Sequence, residues 1–267
     1  MEEIKGHLYT VDTLCSDLMA LGVQSGKTIL VHSSFKALGQ WVCGGPAAVV
    51  LALEAAVGDT GTIVMPTQSG DLSDPSGWSN PPVPVEWWET IREQMPAYDP
   101  ELTLPRMMGI IPETFRKQHG TIRSGHPLVS FAARGLHAKE MITGHSLDDG
   151  LGEYSPLGRI YSLEGDVLLL GVGHGNNTSL HLAEYRASYP TKKRVLIKAP
   201  MLVNGSKRWV EISDIEYDTE DFERLGADFE RDTRLVRRGK VAGADAMLMP
   251  QRELVDYAVK WMEHNRK

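Results

Sequence analysis

Apolar residues fall in two rhythms along this chain, short unbroken runs and helical stripes. Ile29-Leu30-Val31 after Thr28, Ile63-Val64-Met65 after Thr62, and Val167-Leu168-Leu169-Leu170 are continuous runs without polar alternation. Runs of that length suit strands buried on both faces. Val11, Leu14, Cys15, Leu18 and Met19 recur at helical spacing, which predicts a helix over 11–21, capped by Thr10 and stopped by Gly22. Pro46 suits the first turn of a second helix that reaches Ala56. Strand, loop, helix and strand in this order call for parallel pairing through crossover helices. A further strand is expected over 129–133, after His126-Pro127, and a short helix from Ser155-Pro156 to Tyr161. Beyond Thr191 the rhythm changes. Segments 194–203 and 207–212 flank Asn204-Gly205, a strong hairpin signal. A helix near 219–226, strands between 233 and 249, and an amphipathic helix over 251–264 complete an α/β reading. It is a mixed central sheet with helices on both faces and an antiparallel C-terminal extension.

Composition narrows the classes. A chain of 267 residues with 42% hydrophobic and 24% charged residues is an ordinary globular protein with ample core. No apolar run approaches the ~20 residues of a membrane span, and Met1-Glu2-Glu3-Ile4-Lys5-Gly6-His7 lacks a signal-peptide core, so a cytoplasmic location is expected. Two cysteines, Cys15 and Cys43, are too few for a disulfide framework or a four-cysteine zinc site. The net charge of −7 opposes nucleic-acid binding, which needs a basic face. It suits a cationic small molecule drawn to an acidic cleft, and equally suits plain solubility.

The richest stretch runs from Val167 through Gly171-Val172-Gly173-His174-Gly175-Asn176-Asn177-Thr178 to Ser179-Leu180-His181-Leu182-Ala183-Glu184. A strand ends, three glycines let the backbone turn, and Thr178 or Asn177 caps a helix. His181 and Glu184 then share a face at i and i+3. An imidazole beside a carboxylate at a strand's C-terminal end is a general-base arrangement. A partly buried histidine with a solvated glutamate gives the same spacing. The glycines do not complete a dinucleotide fingerprint, because Asn176 takes the last position and Thr191-Lys192-Lys193-Arg194 stands where an acidic residue is required. His32-Ser33-Ser34 follows the first buried strand and offers hydroxyls and amides for a phosphate or a polar cofactor arm, or only satisfies its own loop. His32 is either a second catalytic imidazole or a core histidine. Arg106 and Arg123 lie in loop-like segments and carry guanidinium groups suited to phosphate. Nine histidines raise the question of a metal, but no His-Glu-x-x-His or Cys/His cluster occurs, so none is expected. No Gly-x-Ser-x-Gly elbow marks a serine hydrolase. Residues 66–105, proline-rich and carrying Asp71, Asp74, Trp78, Trp87 and Trp88, are too long for a plain connection. They read as a functional excursion with a helix near 86–94.

Taken together, Val31-His32-Ser33-Ser34, Gly61-Thr62-Ile63-Val64-Met65-Pro66-Thr67, Arg106-Met107-Met108-Gly109, Arg123-Ser124-Gly125-His126-Pro127, Ser130-Phe131-Ala132-Ala133-Arg134-Gly135, Ser155-Pro156-Leu157 and the segment ending in Glu184 resemble the aminoglycoside 3-N-acetyltransferase family. Gln68-Ser69 and Asp71-Leu72-Ser73-Asp74-Pro75 with Trp78 look most like its Bacillus branch. The resemblance implies one α/β/α layered domain over 1–267, distinct from the fold of the larger acetyltransferase superfamily. It implies direct acetyl transfer from acetyl-CoA to the 3-amino group of a 2-deoxystreptamine aminoglycoside, an antibiotic-resistance activity without a metal. His181 would be the base, oriented by Glu184. The His32, Ser33 and Ser34 loop, Thr67 to Ser69 and Arg106, Met107 and Gly109 would hold the CoA. Asp71, Asp74, Asp148, Asp149 and Glu153 are candidates to meet substrate ammonium groups, and Trp78 and Glu184 to face the substrate. The partner is then a small cationic molecule, with no nucleic acid and no membrane. A homo-oligomer stays open, as do acetylation of a different amine and CoA binding with little catalysis.

Overall fold

The computed structural model describes residues 6–267, so the N-terminal stretch read above for a signal peptide lies largely outside it. In chain order the elements are β1 (Leu8–Tyr9), α1 (Val11–Leu21), β2 (Thr28–Ser33), β3 (Trp41–Val42), α2 (Pro46–Val57), β4 (Thr62–Pro66), α3 (Trp88–Gln94), α4 (Ile110–Arg116), β5 (Ile122–Arg123), β6 (Phe131–Gly135), α5 (Ala138–Ile142), α6 (Pro156–Ser162), β7 (Asp166–Leu170), α7 (Ser179–Arg186), β8 (Arg194–Val203), β9 (Ser206–Ile215), α8 (Phe222–Thr233), β10 (Arg237–Val241), β11 (Ala244–Pro250) and α9 (Gln251–Asn265).

Seven strands form the central sheet in the order β10-β11-β7-β2-β4-β6-β5. The middle three, β7, β2 and β4, are parallel, and both flanks are antiparallel. The apolar runs alternate between two cores. Ile29, Val31, Ile63, Met65, Leu168 and Leu170 face one core with α1, α2 and α4. Leu30, Val64, Val167 and Leu169 face the other with α5 to α9. A strand with helices on both faces has no polar side to show, hence its unbroken hydrophobicity. The layers are α/β/α, with the β8–β9 hairpin standing apart as its own antiparallel sheet.

Most expected elements form within a few residues of the reading. The Thr10 cap is a reciprocal one: its hydroxyl accepts from the Thr13 amide, and Thr13 returns the bond. Three points differ. Met19 is 59% exposed and Leu21 takes the buried place, so the stripe of α1 is rotated from the reading. The eighth helix is Phe222–Thr233, not 219–226, since Gly226 is inside it. A Cβ there would sit 2.0 Å from the His174 ring, so the glycine provides room and does not end the helix. Finally, α4 and α5 went unforeseen, each being too short to show a periodicity.

β2 is the hinge of the topology. The chain leaves it for β4 on one side, and β7 later returns on its other side. Open α/β sheets bind ligands outside the carboxyl ends of the strands at such a switch point. His32 and Ser33 end β2 there, beside Leu169 and Leu170 of β7.

Candidate active site

Two cavities open at this edge. The larger, about 810 Å³, lies among the 68–77 segment, α7 and the β8–β9 hairpin, and is lined by His126, His181, Asp214 and Tyr217, among others. The smaller, about 510 Å³, is lined by His32–Lys36, Met107–Ile110, Asn176 and Thr178. The first turn of α7 joins them, since Thr178 faces one and His181, three residues on, faces the other.

β7 ends in Gly171, the one glycine of the three with positive φ (68°), pressed so near Ala37 that a Cβ would lie 2.4 Å from it. The other two glycines leave room for Glu223. The Glu223 carboxylate sits where a Cβ of Gly173 would point, and it accepts the Gly175 amide at 2.7 Å. Asn177 Oδ1 takes the capping bond from the Ser179 amide. The Thr178 hydroxyl instead bonds His32 Nε2 at 3.2 Å.

His181 Nδ1–H donates to Glu184 Oε2 at 2.5 Å. That bond fixes the tautomer and leaves Nε2 as the free basic nitrogen, with no hydrogen-bond partner among the described residues. The imidazole packs against the Tyr217 and Phe222 rings, at 4.7 and 5.0 Å between centroids. Glu184 is fully buried, so it is not solvated and not at the substrate surface. Its Oε1 accepts from Arg266 Nη1 at 2.6 Å and from the Asp218 amide at 3.2 Å. Arg266 is in turn held bidentately by Asp221. Burial works against its charge, but the bonds from Asp221 and Glu184 prevail and hold it above the usual range. A buried carboxylate bonded on one side to a cation and on the other to a histidine is held in a fixed orientation.

His32 differs. Burial, and then the neighbouring His181, depress it to about 3, so it is neutral, and among the described residues its side chain bonds a hydroxyl alone. His126 also lines the larger cavity as a fixed neutral tautomer. Its Nδ1 accepts the Leu128 and Val129 amides and its Nε2–H donates to the Leu147 carbonyl, with burial lowering it to about 4.

Asp214 carries the densest polar knot in the larger cavity. It accepts from both the Tyr185 and Tyr217 hydroxyls and from the Ile215 amide. Burial and the Asp214 charge push both phenols far above their ordinary range, so both remain donors. Sequence reading missed Asp214, Tyr217, His126 and Arg266. Asp214 had one visible signal, a carboxylate in a strand whose neighbours Ile212 and Ile215 are buried. Arg266 had none.

The other candidates separate. Ser33, Ser34, Met107 and Gly109 line the smaller cavity with His32, and the buried Ser33 hydroxyl has no partner among the described residues. Thr67 and Ser69 are fully buried, bonded to Ser130 and the Pro127 carbonyl respectively, and line neither cavity. Arg123 is spent on the Thr67, Pro100 and Thr103 carbonyls, a strut without a free donor face. Arg106 is half exposed, 3.8 Å from Asp71. Asp74 does line the larger cavity, but Arg92 grips it through two bonds and holds it well below the usual carboxylate range. Asp149 pairs with Arg194, Glu153 with Arg186, and Asp148 takes the Ser213 amide. The Trp78 indole donates to Ser73 and lies outside the lining. Among the described residues no three His, Cys, Asp or Glu side chains gather as a metal-binding group, and no helix is long and apolar enough to cross a membrane.

A family model described as aminoglycoside 3-N-acetyltransferase matches residues 30–263. The chain belongs to the aminoglycoside 3-N-acetyltransferase family. That membership makes it an acyltransferase. It is 46% identical over 257 residues, 96% of this chain and 93% of the relative, to the SPbeta prophage-derived aminoglycoside N(3')-acetyltransferase-like protein YokD of Bacillus subtilis. The crystal structure of YokD matches with a TM-score of 0.94 over 98% of this chain and 96% of that one, at 44% identity. Two enzyme structures at 30% identity each match with a TM-score of 0.87. AAC-IIIb, binary with CoASH, shares 97% of this chain and 98% of its own, and AAC-VIa, bound to sisomicin, shares 97% and 99%.

Proposed function

We propose that this family member transfers the acetyl group of acetyl-CoA directly to an amino group held in the larger cavity, the 3-amino group of a 2-deoxystreptamine aminoglycoside being the acceptor its relatives' names suggest. The observation that carries the reading is the His181–Glu184 pair, with one ring nitrogen bonded to a buried carboxylate and the other free at the wall of that cavity. A relative that binds CoASH and one that binds sisomicin support two ligand sites of these kinds. The smaller cavity fits the CoA arm, with the unpartnered Ser33 hydroxyl, the Ser34 loop, Met107 and Gly109 around it.

In this reading the acetyl thioester enters from the His32 side and the acceptor amine from the His181 side. An amine arrives mostly protonated and cannot attack in that form. The ammonium loses one proton to solvent, the freed amine bonds to the acetyl carbon as His181 Nε2 accepts a second proton from its nitrogen, and the carbon–sulfur bond breaks. The proton then passes from Nε2 to the departing thiolate, so the products are an amide and free CoA. Glu184, bonded to Nδ1, keeps the ring oriented and stabilises the imidazolium. Direct transfer is supported by the lining. Neither Cys15 nor Cys43 lines either cavity, and His181 has no serine bonded to it that could carry an acyl group. Release of free thiol from acetyl-CoA by pure protein tests the reading. Thiol release that depends on an added amine is the expected result. Hydrolysis at the same rate without amine, or no release despite CoA binding, overturns it.

A further inference from the structure

The His181 imidazole is pinned at one point by a hydrogen bond, from Nδ1–H to Glu184. The terminal torsion of a histidine is broad, so one bond at one edge leaves the ring plane to its neighbours. Those are two aromatic rings, Phe222 at 5.0 Å between centroids and 59°, and Tyr217 at 4.7 Å and 49°. They are secured differently. Phe222 belongs to α8 and is 1% exposed, so close packing immobilises it. Tyr217 lies in the irregular connection between β9 and α8, half-buried on the wall of the larger cavity. Its ring is tethered at the far end instead. The hydroxyl donates to Asp214 Oδ2 at 2.8 Å and lies 2.9 Å from the Tyr185 hydroxyl. Asp214 is 3% exposed and is itself fixed by the Tyr185 hydroxyl, the Ile215 amide at 2.7 Å and the Gly150 amide at 3.3 Å. Those donors come from α7, β9 and the loop before α6. Three segments converge on one carboxylate, and one phenol carries their rigidity to the His181 ring.

We infer that Tyr217 is a positioning residue for the reaction: its ring, tethered by Asp214, fixes the plane of the His181 imidazole so that Nε2 stays directed at the acceptor. This rests on the reading of His181 as the base and deepens it. A reacting group displaced by about 1 Å can lose about a hundred-fold in rate, so a tether that carries no proton still controls turnover. Asp214 acts at one remove. A carboxylate has about four lone-pair sites, and here two phenols and two amides take them, so its bonds are spent on holding the wall.

Tyr217→Phe keeps the ring and removes the tether, and Asp214→Ala removes the anchor at its other end. With sisomicin and acetyl-CoA as substrates, each should lower kcat about ten-fold and leave the KM for acetyl-CoA in place, and the double variant should lose no more than either single one. A kcat for Tyr217→Phe within about two-fold of the unsubstituted protein overturns the inference, as does a double variant in which the two losses multiply, since Asp214 would then act independently of Tyr217. If Asp214→Ala does not fold, Tyr217→Phe alone decides. If sisomicin is not acetylated, the transfer reading fails, and NMR of labelled histidines still decides the positioning. The downfield Nδ1–H signal that marks the bond to Glu184 should be broadened or lost in Tyr217→Phe. A signal that is the same in both proteins removes the positioning role.

Discussion

The two cavities at the switch point are built in opposite ways. The smaller is lined largely by contiguous pieces, His32–Lys36 and Met107–Ile110. The larger is assembled from single side chains of distant segments, among them Asp74, Arg92, His126, His181, Lys198 and Asp214. Their histidines differ in the same sense. His32 answers to a hydroxyl and is held neutral by burial, whereas His181 answers to a buried carboxylate that an arginine holds in turn. The contrast sets a histidine that burial keeps neutral beside one whose ring an arginine-held carboxylate orients.

Removing the basic side of this contrast should have the largest effect. His181→Ala should lower kcat by roughly 10²–10⁴ while calorimetry still registers CoA binding in the smaller cavity. Near-native turnover would assign proton transfer elsewhere. Glu184→Gln should reshape the pH–rate profile, because the tautomer of His181 is no longer held by a charge.

Arg266 sharpens the comparison at the next level. Arg266→Met leaves Glu184 buried without its cation, an arrangement that costs about 3–5 kcal/mol. A clear drop in thermal midpoint is expected, with partial recovery in Arg266→Lys. An unchanged midpoint would mean that Glu184 needs no such support.

The neutral side should give smaller effects. His32, depressed to about 3, does not titrate between pH 5 and 8. His32→Gln should therefore leave the acid limb of kcat/KM in place and act mainly through the KM for acetyl-CoA. An acid limb that vanishes would make His32 the titrating group.

Smallest near neutrality, and growing in acid, is the stability carried by histidines buried neutral. His32 and His145 are lowered to about 3 and His126 to about 4, from 6.5 in each case. Burial is the main cause in all three. The unfolded chain binds protons at these sites first, so their contribution is complete above pH 6.5 and is lost as pH falls from there toward 3 to 4. Denaturant midpoints measured from pH 7 to pH 4 should decline over that window. A flat profile would contradict the burial of these rings.

Much of the frame was legible because its signals are local. Unbroken strands, the Thr10 cap, Pro46 at a helix start and the Asn204-Gly205 turn each act through neighbours a few residues away. The His181–Glu184 pair was legible for the same reason, since one helical turn sets its geometry. The sequence alone therefore determined the layered α/β class, the order of most elements and the spacing of His181 with its carboxylate. Only the tertiary structure decided what that carboxylate rests on, because Arg266 reaches Glu184 from 82 positions away and Asp221 in turn holds Arg266 from 45. It also decided the fate of the acidic residues. Net charge reports how many carboxylates there are, but their partners depend on which segments fold against them, and here arginines and tyrosines from distant elements had already claimed them.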